Sequence, residues 1–357
     1  MEFIKSLGYS KKRVDWAGDI LINETSSEEN RSRSIEILDN WRAIHRYPMH
    51  IFKKRLRNVS EAMDKEAFAV QRLKRLPSII KKLQRVYQGD KPTMKLSQMQ
   101  DIAGCRAVMP TIKQARELYE KHYLKGDIKH PKVNEKDYII APKTDGYRSI
   151  HLIYRYNSDK EGKKDYNGLL IEVQIRSKLQ HLWATAIEIV DFFTKQAIKS
   201  NEGQKEWIDF FKLVSSAFAI MEKTPTIPGT PKNKKELYKQ IKKQEEKLQV
   251  IRVMEGWTHA VKVFQEMSEK KLDLQFFLLE LDVEDGKLNL RGYPKELEKK
   301  AIMDYNQAEK KNQGKRTYDV VLVGADTTKD LKKAYPNYFI DSAEFLEKLQ
   351  KIINKVK

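Results

Sequence analysis

A single cysteine, Cys105, among 357 residues excludes disulfides within the chain and zinc sites built on cysteine pairs, and it suits a reducing compartment. No apolar run approaches the ~20 residues that span a bilayer. The opening MEFIKSLGYSKKR also lacks the uninterrupted apolar stretch of a signal peptide. A cytoplasmic location with no membrane partner is expected. Acidic residues are scarce beside basic ones: 50 Asp and Glu against 69 Lys and Arg leave a formal net charge of +19. Such an excess favours polyphosphates, nucleic acid or acidic surfaces, or it simply keeps the surface soluble.

What is present is a globular pattern. Hydrophobic residues make up 40% and charged residues 33%, and at roughly 150 residues per domain the length suits about two domains. Ile35, Leu38, Trp41 and Ile44, then Ile51, Phe52, Leu56 and Val59, recur at helical spacing and predict two helices separated by Pro48. Strand patterns follow at Phe68 to Lys74, Ile102 to Met109, Ser149 to Tyr154 and Leu169 to Arg176, with helical patterns between and after them. The class is therefore α/β. Core helices are expected over Ser177 to Lys195 and Trp207 to Met221, a proline-rich hinge over Thr224 to Lys235, and one charged helix from Lys234 to Met267. A hairpin turning at Asp285-Gly286, a helix from Pro294, a strand over Tyr318 to Gly324, a short helix and a last helix from Asp341 complete a small α+β segment.

Three clusters carry chemistry. In QRLKRLPSIIKK, Arg72 and Lys74 share one face of a strand, while Pro77 suits the first position of a helix that carries Ser78 and Lys82 one turn apart. Two cations, a hydroxyl and a helix N-terminus suit a triphosphate; basic residues before a helix are also ordinary surface. In LLIEVQIR, Ile171, Val173 and Ile175 alternate with Glu172, Gln174 and Arg176, so one strand face presents a carboxylate, an amide and a guanidinium. With Asp101 heading the neighbouring run DIAGCRAV, this face suits Mg²⁺ shared with phosphate oxygens, or Glu172 as a proton acceptor; a merely wetted edge strand is the alternative. In KTDGYRSIH, the Asp145-Gly146 turn sets Tyr147 beside Lys143, which suits stacking of a nucleobase, or the turn simply joins two strands.

In this order and spacing, DIAGCRAV, DYIIAPKTDGYRSIH and IEVQIRS…HLWA resemble the RelA/SpoT synthetase domain, and QRLKRLPSIIKKL resembles its ATP-binding segment. The resemblance covers about Tyr9 to Pro228. It implies a nucleotidyltransferase-like mixed β-sheet flanked by helices that transfers the β,γ-pyrophosphate of ATP to a ribose 3′-hydroxyl. Arg72, Lys74, Ser78, Lys82 and Arg106 would then hold ATP, Asp101 and Glu172 would bind Mg²⁺ and act in catalysis, and Gln174 would support Glu172. Lys143, Tyr147 and His151 would serve the acceptor. Thr144-Asp145 stands where housekeeping synthetases have Pro-Asn, which puts a guanine-nucleotide acceptor in doubt, and no hydrolase activity is expected.

The C-terminal segment YDVVLVGADTTKDLKKAYPNYFIDSAEFLEKLQKI resembles the pseudo-zinc-finger domain of CapRel-type fused toxin-antitoxin proteins, without zinc. The resemblance implies residues 1–228 as the transferase, 229–270 as hinge and connecting helix, and 271–357 as regulator, with Tyr335 and Tyr338 autoinhibitory. The last helix, with Phe345, Leu346, Leu349, Ile352 and Ile353 on one stripe, would anchor this segment and could expose the stripe to an activator. It further implies the tRNA CCA end as acceptor and a phage protein, such as a major capsid protein, as activator in anti-phage defence. Lys11, Lys12, Arg13, Lys53 and Lys54 are candidate tRNA contacts. A small alarmone synthetase making (p)ppGpp or (pp)pApp, and a non-catalytic RNA-binding or interaction module, are the other readings.

Overall fold

The computed structural model describes residues 8–86, 91–197, 202–269, 274–282, 287–311, 318–324 and 338–356. They fall into two compact units, Met1–Ile139 with Arg148–Lys178, and Ile140–Tyr147 with Leu179–Lys357.

The first unit opens with three helices, α1 (Lys11–Ile22), α2 (Glu28–Ile44) and α3 (Arg46–Met63). Ser10 and Ser27 cap α1 and α2, their hydroxyls accepting from the backbone N–H groups of Arg13 and Asn30. The break between α2 and α3 falls at His45 rather than at Pro48. Pro48 instead occupies the first turn of α3, where a backbone N–H has no helical partner to lose.

The strands are β1 (Phe68–Leu73), β2 (Ala103–Met109), β3 (Lys132–Asp137), β4 (Ile150–Arg155) and β5 (Leu170–Ser177), in the order β1-β2-β5-β4-β3. β2 and β5 run parallel and the other neighbours antiparallel, so the sheet is mixed. β3 was not foreseen: KVNEKD lacks apolar alternation because this edge strand is half open on both faces. The helices α4 (Leu76–Leu83) and α5 (Ile112–Tyr119) complete the layer pattern. α4 begins one residue earlier than expected, with Pro77 at its second position.

Residues in register point to the same face of the sheet. One face is apolar: Cys105, Ala107, Ile171, Val173 and Ile175 share a buried core with Phe52 and Leu56 of α3 and Ala115 and Leu118 of α5. Each such aliphatic side chain stabilises the fold by roughly 1.5–3 kcal/mol. The opposite face carries two cross-strand rows. The first is Arg72, Gly104, Glu172, Ile153 and Asn134; the second is Val70, Arg106, Gln174, His151 and Lys136.

In the second unit, α6 (Lys178–Ala197), α7 (Glu202–Met221), α8 (Lys234–Leu248) and α9 (Val250–Glu269) bury Trp183, Phe210, Phe211, Leu237, Met254 and Trp257 in one core. The single helix expected over Lys234 to Met267 is two, broken at Gln249, whose φ of 49° is left-handed. β6 (Phe276–Asp282) pairs antiparallel with both β7 (Lys287–Tyr293) and β8 (Tyr318–Gly324). Its period-two alternation sends Phe277 and Leu279 into the helical core and Leu278 to Ala301 and Ala308 of α10 (Glu298–Lys311). The final helix spans Tyr338–Ile353, three residues earlier than expected. Its stripe of Phe345, Leu346, Leu349, Ile352 and Ile353 is buried, with Phe345 stacked on Phe211 at 5.7 Å, so the stripe is core and not an open docking face. Among the described residues no helix is long and apolar enough to cross a membrane. The Asp285-Gly286 turn, the expected short helix after β8 and Tyr335 lie outside the described residues, as does the side chain of Tyr338.

Candidate active site

The polar face of the sheet becomes a site because of its central glycine. Gly104 lies between Arg72 on β1 and Glu172 on β5. A Cβ there would stand 3.3 Å from the Glu172 carbonyl oxygen and 3.7 Å from its carboxylate, so glycine keeps the ground in front of that carboxylate clear.

Glu172 is held by donors on both oxygens. His151 Nδ1 lies 2.7 Å from Oε1, and Gln174 Nε2 donates to Oε2 at 2.7 Å. A carboxylate only accepts, so the His151 ring carries a proton on Nδ1. Arg106 Nε donates in turn to Gln174 Oε1 at 3.0 Å, completing a chain from Arg106 through Gln174 to Glu172. Burial pushes the Glu172 carboxyl up, but the His151 hydrogen bond and charge, with help from Gln174, bring it below its ordinary value despite the nearby Asp101 charge. Glu172 is thus ionised at neutral pH, as a proton acceptor must be. Tyr138 sets its ring edge-on to His151 at 5.2 Å and limits where that ring can swing.

Asp101 lies just before β2. Lys74 Nζ donates to its Oδ2 at 2.9 Å and Lys82 Nζ to its Oδ1 at 2.8 Å. Burial raises this carboxyl, yet the two ammonium charges hold it below the usual carboxylate range. Lys74 is itself anchored: its N–H donates to the Ile102 carbonyl at 2.8 Å, and Arg42 Nε donates to the Lys74 carbonyl at 3.1 Å. Arg42, Gly104 and Tyr138 were not singled out in the sequence: Gly104 and Tyr138 stand inside DIAGCRAV and DYIIAPKTDGYRSIH, but Gly104 works by the space it leaves, Tyr138 by a ring contact and Arg42 by a bond to backbone, none of which a pattern of polar residues signals. A divalent cation fits this site chemically. A phosphate-sharing magnesium asks for only one or two protein carboxylates, which Asp101 can supply once its oxygens are released from Lys74 and Lys82. Among the described residues no set of three or more His, Cys, Asp or Glu side chains forms a metal cluster.

The expected residues are divided between the two units. Arg72, Lys74, Ser78, Lys82, Asp101, Arg106, His151, Glu172 and Gln174 belong to the first unit, whereas Lys143 and Tyr147 belong to the second. There Lys143 Nζ sits 4.9 Å from the centre of the Tyr147 ring, and Asp145 Oδ1 accepts from the Tyr147 N–H at 2.9 Å. Gly146 has φ +100°, and a Cβ on it would come within 2.7 Å of the Trp183 ring. His151, expected on the acceptor side, hydrogen-bonds Glu172. Arg176, expected on the polar face, is fully buried. Of the candidate tRNA contacts, Lys11, Lys12 and Lys54 are exposed, Lys53 is half-buried, and Arg13 stacks on Trp16 at 3.8 Å.

Residues 71–190 match the family described as "Region found in RelA / SpoT proteins". The chain carries a RelA/SpoT region. Over 118 residues it is 31% identical to GTP pyrophosphokinase YjbM of Bacillus subtilis (strain 168), covering 33% of this chain and 53% of that protein. Over 116 residues it is 34% identical to GTP pyrophosphokinase YwaC of the same organism, covering 32% and 52%. The chain thus spans about half the length of the curated relatives it matches. Among solved structures, small alarmone synthetase 1 from Bacillus subtilis is similar at 24% identity over 50% of this chain and 88% of that one, with a TM-score of 0.41. The RelA/SpoT region encloses Arg72 through Gln174, and therefore every catalytic and nucleotide-binding candidate. Lys11, Lys12, Arg13, Lys53, Lys54, Tyr335 and Tyr338 lie outside it.

Proposed function

We propose that the RelA/SpoT region transfers the β,γ-pyrophosphate of ATP to a ribose 3′-hydroxyl, with the CCA end of tRNA as the acceptor. The supporting observation is a sheet face on which two ionised carboxylates, Asp101 and Glu172, stand among Arg72, Lys74, Lys82 and Arg106, with Gly104 leaving room for substrate. The cations neutralise a triphosphate and orient it. Glu172 accepts the proton of the attacking hydroxyl as its oxygen bonds to the β-phosphorus; the bond from that phosphorus to the bridging α,β oxygen breaks, and AMP leaves. Mg²⁺, held by Asp101 and phosphate oxygens, supplies further charge neutralisation when bound. The tRNA acceptor rests on the net charge of +19 and on exposed Lys11, Lys12 and Lys54, together with the departure at Thr144-Asp145. Residues 271–357 act in this reading as a regulatory segment in which Tyr335 and Tyr338 inhibit until a phage protein binds.

The test is incubation of the protein with γ-labelled ATP and either deacylated tRNA or GDP, GTP and AMP. Label on tRNA is expected; label on nucleotides alone would instead make the chain a small alarmone synthetase. Glu172→Gln and Asp101→Asn should each lower transfer by about 10²-fold or more, since general-base and metal contributions reach that size. Tyr335→Ala with Tyr338→Ala should raise basal transfer. Full turnover in Glu172→Gln would remove that residue from the reaction.

A further inference from the structure

The grip of two lysines on one carboxylate is hard to reconcile with a standing metal site. Lys74 Nζ and Lys82 Nζ take one Asp101 oxygen each, at 2.9 and 2.8 Å, and all three side chains are only about a fifth exposed, at 19%, 21% and 21%. Screening by solvent is weak at such burial, so a divalent ion approaching Asp101 meets two ammonium charges and no unshared carboxylate oxygen. Magnesium also gives up its water reluctantly and gains little from a ligand already engaged. Both lysines have long, flexible stems anchored at fixed points, Lys74 at the end of β1 and Lys82 one turn along α4 from Ser78, so their heads can move while Asp101 stays.

We infer that Lys74 and Lys82 form a cation lock on Asp101, keeping divalent metal off this carboxylate until the phosphates of a nucleotide draw both ammonium groups away. The inference rests on the pyrophosphotransfer reading and adds an order of events: phosphates arrive, the lysines transfer from carboxylate to phosphate, and the freed carboxylate takes the metal that accompanies them. One set of cations thereby serves two anions in turn, and the site stays neutralised with or without substrate.

The experiment measures Mn²⁺ binding by electron paramagnetic resonance on the full chain without nucleotide. Wild type should bind no more Mn²⁺ than Asp101→Asn. Lys74→Met with Lys82→Met should bind Mn²⁺ at least about tenfold more tightly than wild type, and adding Asp101→Asn to that pair should abolish the gain. Nucleotide-free wild type that already binds Mn²⁺ through Asp101 overturns the lock, as does a lysine pair variant that folds but gains nothing. Should the lysine variant fail to melt cooperatively, acetylation rates decide. In Asp101→Asn, Lys74 and Lys82 should react severalfold faster than in wild type while the exposed Lys81 on the same helix is unchanged; unaltered rates refute the contact. A protein that shows the lock but labels no acceptor would leave this inference standing and defeat the proposed reaction instead.

Discussion

Buried ionisable groups in the first unit are kept in one charge state by opposite means. Glu172 and Asp101 are held as carboxylates by donors and ammonium groups that outweigh burial. Asp101 therefore adds to stability above its ordinary range near 3.8, and that contribution fades as pH falls through its lowered value. His45 is kept neutral. Burial between α2 and α3 lowers it from 6.5 to about 4, with only the Trp41 carbonyl, 2.7 Å from Nδ1, opposing. Between those two values the unfolded chain binds a proton that the folded chain refuses, so stability declines as pH falls through that window, by at most roughly 3 kcal/mol. His45→Asn, whose amide can still donate to the Trp41 carbonyl, should flatten the decline. Denaturant unfolding at pH 7 and pH 4.5 checks it: the same loss in variant and wild type would place the acid sensitivity elsewhere.

Among the elements, two backbone positions decide where α8 stops and how the loop from Lys143 to Tyr147 turns. Gln249 ends α8 in the left-handed region, which is strained for a residue with a Cβ. Gln249→Gly should raise stability by about 0.5–1 kcal/mol. Gly146 is the reverse case. Its φ of +100° and the Trp183 ring leave no place for a Cβ, while Ser215 Oγ donates to its carbonyl at 2.6 Å. Gly146→Ala should lower stability by roughly 1–3 kcal/mol and displace the Lys143–Tyr147 pair. Calorimetric melting of both variants tests the signs, and a neutral Gly146→Ala would show that the loop is looser than its packing indicates. The final helix is tied in by His181 Nε2 at 3.0 Å from Asp341 Oδ2, both buried, in addition to its apolar stripe.

For the whole molecule, the charge of +19 matters only if part of it is free to meet a polyanion. Lys11, Lys12 and Lys54 are exposed, unlike Lys74 and Lys82, which are committed to Asp101. Reversing Lys11 and Lys12, or Lys54, to glutamate should weaken tRNA labelling about tenfold and leave the ATP KM within about twofold. The slope of log affinity against log salt should shrink by about one for each phosphate contact removed. Unchanged labelling and a flat salt response would shift the acceptor to a small nucleotide.

Four of the five strands of the first unit's sheet and the polar face that carries Glu172 and Gln174 could be read from the sequence, because period-two alternation is a local property of strands with one buried face. The sequence likewise determined the single free cysteine, the basic excess and the residues of the cationic cluster. Tertiary structure decided what no local window contains. It closed α2 at His45 instead of Pro48, since proline is tolerated in a first turn, and it gave the edge strand β3 a place that its composition does not advertise. It buried Arg176 and turned His151 onto Glu172. It also brought Lys74 and Lys82 onto Asp101, residues 27 and 19 positions apart in the chain. These outcomes depend on which strand lies beside which, and pairing over such separations is fixed by burial of the whole apolar face rather than by any residue's neighbours in sequence.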